Sequence, residues 1–148
     1  MLSQEVDFHQ IFKVSPTAMA LITADFVLVD ANDAFIEGCG RPLEEIVGHN
    51  IFEQFPKMPA DPGGNPMWTP LEAALTSGER QVHELTRYDV EVPGQPGVFE
   101  ERYWSSVVTP LRGPSGEIEM FELSAREVTA IIAEYRRLKA AEETEPPD

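Results

Sequence analysis

The chain has 148 residues, a length that suits one domain with a buried core. Its 26 acidic and 11 basic side chains give a formal net charge of -15, which repels nucleic-acid backbones and anionic membrane surfaces. The single cysteine, Cys39, cannot form an internal disulfide. No apolar run approaches the ~20 residues that cross a bilayer, and residues 1–10 lack a signal-peptide layout. We therefore expect a cytoplasmic protein.

The first part of the chain predicts a helix followed by two short strands. Apolar residues at partly helical spacing favour an N-terminal helix within residues 1–14. Residues 19–23 and 26–30 are rich in apolar side chains and are predicted to be strands. Asp30 or Asn32 can cap the helix that follows, because a short polar side chain accepts hydrogen bonds from free backbone N–H groups.

Short helical pieces and a long loop are predicted next. Pro42 suits the first position of a helix, which Gly48 ends. Residues 57–66 hold three prolines and two glycines, a composition that predicts a mobile loop. A helix beginning near Thr69 and ending at Gly78 completes this part of the chain.

Three strands are predicted in the second half of the chain. They cover residues 81–92, 99–111 and 117–126, and Pro/Gly-rich turns separate them at 93–97 and 113–116. Two hairpin turns at close spacing indicate an antiparallel meander.

The last predicted element is a helix that begins near residue 129 and leads into the C-terminal tail, 129–148. Four apolar residues along it follow a 3,4,3 spacing that is typical of a short coiled-coil seam: Val128, Ile131, Tyr135 and Leu138. This stripe predicts a homodimer, although the helix could instead fold back on its own sheet.

Four segments resemble landmarks of the PAS sensor family, and the resemblance covers most of residues 8–130. They are SPTAMALIT, VDANDAF with Asn32 in the characteristic place, EEIVGHNIFEQFP, and AREVTAI. The last is similar to the family's Asp-x-Thr exit motif, with Glu127 where Asp is usual and Thr129 retained. The resemblance implies an α+β fold: a five-stranded antiparallel sheet with short helices on one face and a C-terminal helix. We expect the sensor domain to cover residues 15–128.

The resemblance also implies a function in signalling. PAS domains are usually sensor or interaction modules, so we expect a homodimer that relays a signal to an output domain or partner, with Glu127 and Thr129 coupling the sheet to the helix. The alternatives are a stand-alone small-molecule-binding protein or enzyme that uses the same cavity, and a dimerisation domain with a closed core. The sequence contains no nucleophile elbow, Walker-type phosphate loop or dinucleotide fingerprint.

The aromatic residues either fill a packed core or line a ligand pocket. Such a pocket is expected between the sheet and the helices. The side chains predicted to line it are Val29, Phe35, Ile51, Phe52, Leu71, Leu75, Tyr88 and Tyr103.

The resemblance gives no expected cofactor. Flavin photosensors of the light-oxygen-voltage type share Gly-x-Asn-Cys-Arg-Phe, and here Ile51 occupies the place of the reactive cysteine. Haem-binding members use a histidine on the following helical wall, but residues 51–82 contain none, and His49 and His83 at its edges are expected to be ordinary polar side chains. The histidines are not at metal-ligand spacing, so we predict no metal and leave an unknown small ligand open.

Overall fold

The structure, a computed structural model, describes residues 5–55 and 68–144, apart from the side chain of Trp68. Its elements in chain order are α1 (Phe8–Val14), β1 (Ala18–Thr23), β2 (Leu28–Ala31), α2 (Asp33–Cys39), α3 (Leu43–Ile46), α4 (Ile51–Gln54), α5 (Trp68–Ser77), β3 (Gln81–Arg87), β4 (Val90–Glu91), β5 (Phe99–Glu100), β6 (Tyr103–Arg112), β7 (Ile118–Glu127) and α6 (Thr129–Thr144). The loop predicted at residues 57–66 lies outside the described residues.

Five strands form one antiparallel sheet in the order β2-β1-β7-β6-β3, and short helices pack on one of its faces. The predicted fold class is therefore confirmed. Alternate residues of β1, β6 and β7 point inward, as the period of a strand requires. They meet apolar side chains of the helices in a core that includes Ala20, Ile22, Val108, Phe121, Leu123, Phe35, Ile46, Ile51 and Leu71.

Asn32 is fully buried and connects β1 to α2. Its Oδ1 accepts hydrogen bonds from the backbone N–H of Phe35, at 3.0 Å, and of Met19, at 2.9 Å. Its Nδ2 donates to the carbonyl of Thr17 at 2.8 Å. Asn32 is thus the cap of α2, rather than Asp30, and it fixes where α2 stands against the edge of β1.

Two of the predicted strands are each interrupted. The segment 81–92 divides into β3 and β4, and 99–111 divides into β5 and β6. The reason is Asp89, whose Oδ1 accepts from the backbone N–H of Arg102 at 3.3 Å, so a side chain replaces a strand-to-strand bond at this point. β4 and β5 form a separate two-stranded hairpin that closes around the predicted 93–97 turn.

The second strand also begins later than predicted. Phe26 has a φ of 66°, in the left-handed region, which places it in the turn after β1 and delays β2 until Leu28. Within β2, Leu28 and Ala31 are buried, and Val29 is exposed.

Candidate functional site

A cavity of about 530 Å³ lies between the helical layer and the inner face of the sheet, beside the β4–β5 hairpin. This volume is in the range of sites that take small molecules. The helical layer contributes α2 and the residues around α4, and the sheet contributes β3, β6 and β7. Its principal lining side chains are Phe35, Cys39, Arg41, Gln54, Phe55, Thr86, Tyr88, Phe99, Trp104, Ser106 and Leu123.

Aromatic rings line both layers of this cavity. Phe35 and Phe55 come from the helical side, with ring centroids 6.0 Å apart and planes at 87°. Tyr88 and Trp104 come from the strand side, and the indole Nε1 of Trp104 donates to the carbonyl of Tyr88 at 2.9 Å. That hydrogen bond fixes the orientation of the Trp104 ring, while burial raises the pKa of the Tyr88 phenol and keeps it neutral.

Arg41 is the cation among the described lining residues, and its guanidinium is already engaged. It donates to the carbonyl of Gln54 at 2.7 Å and to the Gln54 side-chain oxygen at 2.8 Å, and it lies 3.8 Å from a Glu45 carboxylate oxygen. Because a guanidinium can only donate, the atom of Gln54 that faces it must be the amide oxygen. The group that Gln54 retains for other partners is its NH₂.

Cys39 also lines the cavity, at the end of α2. Its Sγ lies 3.6 Å from the carbonyl of Ile36 and 3.8 Å from that of Arg41. Burial raises the pKa of the thiol, partly offset by the backbone and charge of Arg41, so at neutral pH the group is the unreactive thiol.

The beginning of α6 is attached to the residue next to Trp104. The backbone N–H of Val128 donates to the carbonyl of Tyr103 at 2.8 Å, and the backbone N–H of Tyr103 donates to Thr129 Oγ1 at 3.0 Å. About two turns further along α6, Arg136 donates to the Tyr103 hydroxyl at 3.0 Å and lies 5.2 Å from its ring centroid. Tyr103 therefore holds α6 at three points.

Glu127 forms an ion pair with Arg102, which also pairs with Glu100 at 2.7 Å. The longer acid of the exit motif thus finds an arginine, and Thr129 still receives its backbone bond. Arg102 Nε is buried and has no hydrogen-bond partner within the described ranges 5–55 and 68–144.

The structure brings only some of the predicted pocket residues together. Phe35 and Tyr88 line the cavity, whereas Ile51 and Leu71 are fully buried in the packed core. Phe52 packs against the Phe26 ring, with centroids 5.2 Å apart.

The remaining predicted pocket residues point elsewhere. Val29 and Leu75 are 43% and 39% exposed, because Leu28 on β2 and Ala74 on α5 occupy the inward positions beside them. Tyr103 faces the opposite side of the sheet from Trp104, as neighbours in a strand must.

Sequence reasoning missed several lining residues, namely Arg41, Gln54, Phe55, Thr86, Trp104 and Ser106. The alternation of β6 could have found two of them. Val108 is buried, so Ser106 and Trp104 are on the same face of the strand.

The predicted dimer stripe on α6 is largely exposed. Ile131, Tyr135 and Leu138 are 64%, 60% and 54% exposed, and Val128 is half-buried at the base of the helix. In this chain, therefore, the stripe does not fold back on the sheet.

No histidine is among the described residues that line the cavity. His9 and His49 are exposed, and His83 is half-buried on β3. Within residues 5–55 and 68–144 there is no cluster of His, Cys, Asp and Glu suited to a metal ion. No helix in the same part of the chain has the length and apolarity needed to span a membrane.

Comparison with known proteins agrees with this fold. The family model described as PAS fold matches residues 12–131. A blue-light-activated histidine kinase of Rhizobium johnstonii is 30% identical over 123 residues, and the match spans 82% of this chain but only 31% of that protein.

Solved structures show the same fold. An RNA-binding light-oxygen-voltage receptor has a TM-score of 0.70 at 18% identity, covering 93% of this chain and 37% of that one. The PAS domain of nitrogen regulation protein NR(II) from Vibrio parahaemolyticus has a TM-score of 0.61 at 15% identity, covering 82% and 98%. The family match spans well over half of the sequence, and the chain belongs to the PAS fold family.

Proposed function

We propose that this chain is a sensor module in which occupancy of the cavity by a small molecule changes the attachment of α6. The observation that carries the proposal is the adjacency of Trp104 and Tyr103. Trp104 lines the cavity on the inner face of β6, and Tyr103 holds the beginning of α6 on the other face. A ligand that moves Trp104 must move the backbone that it shares with Tyr103, and so the base of the helix.

The same proposal includes a downstream partner. The related Rhizobium johnstonii protein is a histidine kinase, and this chain spans about a third of its length. In this proposal the sensor acts on a kinase-type output domain through α6, and α6 pairs with α6 of a second copy. The exposed apolar stripe on that helix supports such pairing. In this account the domain carries no catalytic residue of its own, and it acts in the cytoplasm.

Flavin photochemistry of the light-oxygen-voltage type does not fit these residues. Gly48, His49 and Asn50 precede Ile51, a fully buried core residue whose aliphatic side chain cannot form a bond to a flavin. Cys39, although it lines the cavity, lies at the end of α2, away from that position in the chain, and its pKa is raised by burial. We therefore assign no step to a flavin.

A cavity-filling substitution tests the relay without knowledge of the ligand. Thr86 lines the cavity from β3, and Thr86→Phe would add a ring to it. Thr109→Phe is the matched control, since Thr109 is on the outer side of β6, about 20 Å along the strand from Tyr103. We expect Thr86→Phe to change amide exchange at Val128 and in the first turn of α6, and Thr109→Phe to leave both unchanged.

The proposal fails if both variants fold, as judged by cooperative thermal unfolding, and neither alters exchange in α6. Thr86→Leu, a smaller addition at the same site, replaces Thr86→Phe if the larger ring prevents folding. The alternative function, a stand-alone small-molecule-binding protein or enzyme, predicts ligand turnover or binding with no response in α6.

A further inference from the structure

The cavity offers aromatic surfaces on two opposed layers. Phe35 and Phe55 belong to the helical layer, and Tyr88 and Trp104 belong to the sheet. Two aromatic rings in stacked or edge-to-face geometry gain interaction free energy beyond that of the apolar area they bury. The ligand best suited to this space is planar and aromatic.

The charges around the cavity oppose an anion. Arg41 already donates to both oxygens of Gln54 and lies near Glu45. Asp89 and Glu91 place carboxylates on the hairpin side of the lining, and that of Asp89 is paired with the Arg87 guanidinium at 3.0 Å. An incoming carboxylate or phosphate would lose its hydration and meet the like charge of Glu91, without gaining a free cation among the described lining residues.

Polar groups remain for an uncharged ligand. Thr86 and Ser106 lie on the paired strands β3 and β6. Neither side-chain hydroxyl has a hydrogen-bond partner in the part of the chain that the structure describes. The NH₂ of Gln54 adds a donor on the helical side. A hydroxyl or carbonyl on the ligand can pair with these groups, because a hydroxyl both donates and accepts.

We infer that the cavity selects an uncharged planar aromatic molecule bearing a hydroxyl or carbonyl group, and that it rejects carboxylate- and phosphate-bearing ligands, flavin nucleotides included. The inference rests on the proposed function, in which the cavity takes a small molecule. It adds to that function the chemistry of the molecule.

Matched probes of one ring system test the selection. Titration calorimetry at pH 7 compares 2-naphthol, which is uncharged, with 2-naphthoate, which is anionic, and with flavin mononucleotide. We expect 2-naphthol to bind at least about tenfold more tightly than 2-naphthoate, and the nucleotide not to bind. Binding in the cavity is verified separately, because 2-naphthol should slow alkylation of Cys39, the single cysteine of the chain.

A double variant locates the polar contact. Removing both inner hydroxyls, with Thr86→Val and Ser106→Ala, should weaken 2-naphthol about fivefold to tenfold. The control removes the same two side-chain types from the outer face of β6, with Ser105→Ala and Thr109→Val, and should leave the affinity unchanged.

Three results would overturn the inference. They are 2-naphthoate or the flavin nucleotide binding as tightly as 2-naphthol, equal losses in the two double variants, and no binding of either naphthyl probe at millimolar concentration. None of them decides the proposed function, because the Thr86→Phe experiment reads α6 without any ligand. A failed relay with intact 2-naphthol selectivity would reject the proposed function alone.

Discussion

Replacing Thr129 with valine should loosen α6 at its base. Valine keeps the branched shape and nearly the same helix propensity, but it removes the Oγ1 that accepts the Tyr103 N–H at 3.0 Å. An intramolecular hydrogen bond contributes about 0.5–1.5 kcal/mol, and an unsatisfied buried donor costs about 1–3 kcal/mol. Since Thr129 is half-buried, we expect a loss of about 1–2 kcal/mol in the free energy of unfolding, or about 2–8 °C in Tm for a chain of this size.

Two measurements check this expectation. Urea unfolding gives the change in free energy, and amide exchange shows whether the Tyr103 N–H loses protection while Val128, whose own bond to Tyr103 remains, loses less. Thr129→Ser restores the hydroxyl and should recover most of the stability. The matched control is Thr144→Val at the exposed far end of α6, which should change stability by less than about 0.5 kcal/mol.

The reasoning about the exit contact would be refuted in either of two ways. One is an equal effect of Thr129→Val and Thr144→Val on unfolding. The other is a destabilised Thr129→Val in which exchange at Tyr103 is unchanged, because the lost energy would then come from a different contact.

Three further outcomes are expected. Asn32→Ala should cost about 2–4 kcal/mol, because it leaves one buried N–H group, one partly buried N–H group and a carbonyl without their partner. Asn50→Ala, at a half-buried cap, should cost about 1 kcal/mol, and equal losses in urea unfolding would contradict this. Light scattering at tens of micromolar should give a dimer that strengthens with salt and dissociates in the double variant Ile131→Asp, Leu138→Asp; a wild-type monomer would reject it. Alkylation of Cys39 should be slow at pH 7, and the midpoint of its pH dependence should lie above that of a free thiol, because burial raises the pKa of Cys39. A midpoint below that of a free thiol would show that the positive charge of Arg41 dominates.

The sequence was sufficient for the fold because its signals are local. Asp30 or Asn32 was predicted to cap α2 through a short polar side chain, and Asn32 does so. The two Pro/Gly-rich turns predict an antiparallel meander, which is confirmed. The exit motif likewise predicted where β7 would become α6.

The cavity was less predictable because its walls depend on contacts between distant residues. Val29 was expected to face inward, but its neighbour Leu28 takes the inward position and Val29 points to solvent. The break at Asp89 depends on the Arg102 N–H, 13 residues away, which no local pattern reports. Which of Tyr103 and Trp104 faces inward follows only once the register of β6 is known.

The central claim is that occupancy of the cavity is coupled to the base of α6 through Trp104 and Tyr103. The most direct measurement is an NMR titration with 2-naphthol that follows the backbone amides of Ser106 in the cavity wall, Val128 at the helix base and Gly116 in the distant β6–β7 turn. The account predicts that Ser106 and Val128 shift along one saturation curve while Gly116 stays in place. Saturation at Ser106 with no shift at Val128 would contradict the claim.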